Sequence, residues 1–137
     1  MKKNCLKTLL AALFTTIALT LSAEPALLGN KVLNGQALDG ESVKAVLMGK
    51  KVALGDARVV LVIAKSGDAQ NAFLQAHVGM TTIQFQNYWR RLFMTGGGSA
   101  PKIVETEAEA CKIVAETSGA VTVADSAVAN GLVVLSK

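Results

Sequence analysis

Val59-Val60-Leu61-Val62-Ile63-Ala64, followed by Lys65-Ser66-Gly67-Asp68, is the stretch on which the fold turns. Six β-branched or apolar residues without alternation predict a strand buried on both faces. The polar tetrapeptide after it predicts a turn into a helix running to about Val78, with Phe73 and Leu74 inward. A buried strand feeding a helix is the unit of an α/β fold.

Elements on either side repeat the alternation. Upstream, Asp39 is a helix N-cap, and Glu41 to Met48 follows with Val43, Val46 and Leu47 on one face until Gly49. Lys50 to Ala57 reads as a polar turn region, and Glu24 to Gln36 as weakly patterned, its "KVLNG" either a short strand or a leader. Downstream, Gly79 breaks the helix and Thr81 to Gln84 forms a capping box for the next one. That helix carries Phe85, Tyr88, Trp89, Leu92 and Phe93 on one arc, and Gln86, Asn87, Arg90 and Arg91 on the other. Gly96 ends it, and Gly96 to Pro101 is a loop. Thr106 to Glu109 is a second capping box, for a helix ending near Ser118-Gly119, with Glu105, Glu107 and Glu109 at its positive end. A strand from Ala120 to Val123, a helical turn from Asp125 to Ala129 closed by Asn130-Gly131, and a strand from Leu132 to Leu135 complete the chain.

The first residues read as an export signal. Lys2, Lys3 and Lys7 precede an apolar run from Leu9 to Leu21, and "LSA" suits cleavage after Ala23. An uncleaved anchor is the alternative. The expected organisation is a signal peptide over residues 1–23 and one domain over 24–137, secreted to a bacterial periplasm. Loss of the three leader lysines leaves 11 basic residues against 10 acidic, a net charge of +1 in place of +4. The basic character belongs mostly to the leader, so charge gives no nucleic-acid reading. The remaining length of about 114 residues suits one small domain.

Catalytic groups are few. His77 is the single histidine and lies late in a helix, a structural or solvated position. Cys111 is the one cysteine after the leader, at a mid-helix position that suits a buried, inert thiol. No zinc spacing, calcium loop or Walker A sequence is present, so no metal or cofactor is expected. The turn Lys65-Ser66-Gly67-Asp68 is the candidate binding site. It aims backbone N–H groups and a hydroxyl beyond the strand's C-terminal end, a geometry that holds oxyanions. The alternative is that Ser66 or Asp68 caps the helix.

"LMGK" (Leu47 to Lys50), "NAFLQAHVGM" (Asn71 to Met80) and "YWRRLFMTGGGSAPK" (Tyr88 to Lys102), followed by an acidic helix and a Ser-Gly-Ala turn, together form a recognisable order. The chain resembles the short periplasmic proteins similar to the phosphate-binding component of phosphate ABC transporters. Their pattern runs "IFLGK", "F…VLGM", "YWxRLIFTGKGxPPK" and "PGAIGY". The resemblance implies a single small periplasmic-binding-protein-like lobe, with a short mixed sheet flanked by helices and no enzymatic activity. It implies phosphate or a related oxyanion as ligand, and ABC transporter membrane subunits or another periplasmic protein as partner. It also shows departures. Gly67 and Gln70 stand where the family has Ser and Arg, Gly97 stands for the lysine of "GKG", and the tyrosine of "PGAIGY" is missing. A binding-dead accessory or interaction module of the same fold is the alternative function.

Overall fold

The computed structural model describes residues 24–96, 100–129 and 131–137. The expected signal peptide, Gly97, Gly98 and Asn130 lie outside them. The elements in chain order are β1 (Pro25–Gly29), α1 (Gly40–Leu47), a short hairpin of β2 (Ala53–Leu54) and β3 (Ala57–Arg58), β4 (Val60–Ala64), α2 (Asp68–His77), α3 (Thr82–Met94), β5 (Lys102–Val104), α4 (Glu107–Glu116), β6 (Ala120–Asp125) and β7 (Val133–Ser136). Two 3-10 turns, Lys31–Leu33 and Ser126–Val128, follow β1 and β6.

Five strands form one mixed sheet in the order β5-β4-β6-β1-β7. β4 runs parallel to both β5 and β6, and β1 runs antiparallel to β6 and β7. The class is therefore mixed α/β, as the alternation of elements predicts. The chain steps outward from β4 to β5 through α2 and α3. It then steps back across β4 to β6 through α4. Crossovers between parallel strands keep one hand, so opposite directions of travel place these helices on opposite faces. Leu27, Leu61, Ile63, Val121, Val123 and Leu135 pack under Val43, Leu47, Phe73, Phe85 and Trp89 on one face. Val62, Ala64 and Val104 pack under Ala110 and Val114 of α4 on the other.

The N-terminal reading needs correction. The segment is neither a leader nor a strand at "KVLNG". Pro25–Gly29 is a strand, and "KVL" is the 3-10 turn after it. β1 pairs with a strand on each side and buries Ala26, Leu27 and Leu28 completely. The polar turn region at Lys50 to Ala57 holds most of the β2–β3 hairpin, which ends at Arg58.

The aromatic helix follows its sequence at the start. Thr81 Oγ1 accepts from Gln84 N–H, and Gln84 Oε1 accepts from Thr81 N–H. Phe85 and Trp89 are buried, and Tyr88 and Leu92 are half-buried. Phe93 departs from the expected arc and is 57% exposed. It lies a turn beyond Trp89, above the edge strand β5, where the described residues supply no further element to cover it.

Candidate functional site

The four residues singled out from the sequence lie together in the connection from β4 to α2. They line a shallow cavity of about 240 Å³ with Asn71, Thr81, Thr82 and Ile83. Lys65, Ser66 and Asp68 are exposed, and Gly67 is half-buried. Neither Ser66 nor Asp68 caps α2. Gly67 is the N-cap residue, and no side chain from the turn bonds there.

The cap comes from another element. Glu107, the first residue of α4, sends its carboxylate to the start of α2, where Oε1 accepts from Gln70 N–H at 2.7 Å. Glycine at 67 leaves the room this contact uses, and a larger residue would push the carboxylate aside. A Cβ there would stand 2.5 Å from Glu107 Cδ, far inside van der Waals contact. Glycine at this position thus admits the carboxylate group, one with the charge and donor preference of an anionic ligand.

Strand order explains the meeting. Helices leave the neighbouring parallel strands β4 and β5 toward opposite faces. The crevice between the C-terminal ends of such a pair is where open α/β sheets bind ligands. Here two internal contacts span it. Lys65 Nζ reaches Glu105 Oε1 at 2.6 Å, and Glu107 reaches the α2 amide. Lys65 and Glu105 are both largely exposed, so their bridge neutralises local charge but adds little stability.

The electrostatics of the turn oppose an anion. Burial pushes the Glu107 carboxyl above its ordinary value, the Gln70 amide acts against this, and Asp125 and Asp68 add to the rise. The ammonium of Lys65 is held protonated by its hydrogen bond and charge interaction with Glu105. An incoming oxyanion therefore meets the carboxylates of Asp68 and Glu107, and a lysine already engaged.

Gln70 is not a ligand position either. It is fully buried, with Oε1 accepting from Ala64 N–H at 2.9 Å and Nε2 donating to Ala64 O at 2.8 Å. The side chain clips the end of β4 to the first turn of α2. An arginine there would bring an unpaired charge into the core and would not supply an anion fork.

The sequence reading missed Glu107 as a cap on a neighbouring helix. It assigned the residue to the positive end of its own helix. The one signal was an acidic residue in the first turn after a β5-type strand, and identifying its partner required the strand order. The second capping box forms in part. Thr106 Oγ1 accepts from Glu109 N–H, while Glu109 Oε2 reaches Glu105 N–H and not the cap residue.

Two further chemical groups, His77 and Cys111, pack within the fold. His77 stacks on Phe73, with ring centroids 4.1 Å apart. Cys111 is buried, and burial together with Glu107 pushes its thiol up to about 11, which suppresses the reactive thiolate. Among the described residues no group of three His, Cys, Asp or Glu is placed to hold a metal ion. No helix of the described residues is long and apolar enough to cross a membrane. No family model and no curated protein matches the chain.

Proposed function

We propose that the protein is an exported, non-enzymatic periplasmic domain of the solute-binding-lobe type. In this reading its oxyanion cradle is closed by its own carboxylate, and it serves as an accessory or protein-interaction module. The observation that carries the proposal is the Glu107 hydrogen bond at the N-terminus of α2. A bound anion at this place would need the same amide and would lie against two carboxylates. Desolvating it there would cost more than one unengaged hydroxyl and a few backbone amides return.

A second reading is favoured by the cavity beside Lys65, Ser66, Gly67 and Asp68. There the domain binds phosphate or a related oxyanion for an ABC transport system, with Glu107 displaced. The donor count limits such a site to an affinity no better than roughly micromolar. Titration calorimetry with inorganic phosphate at fixed salt separates the two. The parent is expected to release no binding heat. Glu107→Ala is expected to gain weak binding that Ser66→Ala then removes. Saturable phosphate binding by the parent would put the second reading first.

A further inference from the structure

We propose that the groove between the last turns of α3 and the edge strand β5 is a docking surface for an extended, acidic-apolar segment of a partner protein. The inference rests on the interaction-module reading above and names the surface that module would use.

The groove follows from the end of the sheet. Among the described residues β5 has a strand neighbour on one side only, so its outer edge offers backbone groups to an added strand. Successive strand residues alternate between faces. Val104 packs beneath α4, and Ile103 points to the α3 side, 41% exposed. Above it α3 presents Phe93 and Trp89. With Pro101 these side chains line a concave space of about 480 Å³, large enough for a bulky apolar side chain. Met94, at the helix end, is 78% exposed.

Charge selects the occupant. Arg90 lines the groove, and its Nη1 donates to Asn87 Oδ1 at 3.3 Å. Neither Arg90 nor Arg91 is within salt-bridge distance of a carboxylate among the described residues. Lys65 stands at the other end, already paired to Glu105. An apolar residue flanked by carboxylates satisfies both the pocket and the uncompensated guanidinium. A second copy would bring Arg90 against Arg90, and like charges oppose that pairing. An anionic bilayer offers the charge but presents a flat surface to a concave groove.

The purified protein should be used to select random heptapeptides on display. The enriched peptides are expected to carry one aromatic or aliphatic residue flanked by Asp or Glu. Their binding should shift the fluorescence of Trp89, the single tryptophan, which forms part of the groove wall. Both substituted side chains are exposed, so the fold should survive Phe93→Asp and Arg90→Glu. Phe93→Asp should abolish enrichment. Arg90→Glu should weaken the selected peptide about tenfold and turn selection toward basic flanks. Val134→Lys, at an exposed position on β7 at the opposite edge of the sheet, should change neither result.

The proposal fails if no peptide is enriched, if the enriched peptides lack acidic residues, or if binding survives Phe93→Asp. It fails equally if phosphatidylglycerol vesicles bind through this face while peptides do not, or if the groove is occupied by a second copy in sedimentation. Phosphate binding by the parent would overturn the module reading, whereas the peptide selection decides the groove by itself.

Discussion

Trp89 joins two helices through one side chain. Its ring packs into the larger core, and Nε1 donates to Leu47 O at 3.0 Å. Tyr88 Oη donates to Met48 O at 2.8 Å. These are carbonyls at the C-terminal end of α1, which lack partners within their own helix. Gly49 completes the contact, since a Cβ there would stand 2.6 Å from the indole and its φ of +79° already favours glycine. Trp89→Ala should therefore destabilise the domain by roughly 3–5 kcal/mol in urea melts. Arg90→Ala and Arg91→Ala should each stay within about 0.5 kcal/mol of the parent. Thr122 presents the opposite case, a fully buried hydroxyl in the middle of β6 with no hydrogen-bond partner among the described residues. Thr122→Val should raise stability by about 1 kcal/mol in the same melts. At this scale the sequence was legible wherever a residue acts within its own helix. Asp39 and Thr81 cap as their spacing implies, because a cap contact is local. The role of Gln70 was not legible. Its partners belong to β4, and a fully buried amide in a helix's first turn looks in sequence like any polar residue there.

Glu107 couples α4 to α2 across the switch between β4 and β5. The coupling has a definite pH signature. A carboxyl held above its ordinary value of 4.5 in the folded chain binds its proton more readily there than in the unfolded chain. Protonation of Glu107 thus favours folding, and this contribution grows as pH falls from neutrality toward 4.5. The stability of the parent minus that of Glu107→Gln should rise over that interval. The difference should stay flat above it, as read from urea midpoints at each pH. A difference independent of pH would mean that the carboxyl is not displaced from its ordinary titration. Gln70→Arg tests the neighbouring contact. It should destabilise the domain markedly in urea and leave phosphate titrations unchanged, because the side chain points into the core. Elements with one strong apolar face were legible from sequence, as α1 and α2 show. The Lys50 to Ala57 hairpin was not, because two-residue strands are too short to show alternation.

The class of the whole molecule was legible in the succession of strand and helix signals, but the order of strands in the sheet was not. That order depends on pairings between distant segments, and it decides where the crevice opens and what fills it. The largest omission was β1, where Ala26, Leu27 and Leu28 follow a proline without alternation and resemble the tail of the apolar run before them. Yet this strand sits inside the sheet, paired with the last two strands of the chain. The placement fixes a sequence of events in time. β1 gains its two neighbouring strands only once the C-terminal residues have been made. Until then the nascent chain holds an apolar ribbon without its neighbouring strands. In the exported reading proposed above, such a delay would keep the sheet open until the last strand is through.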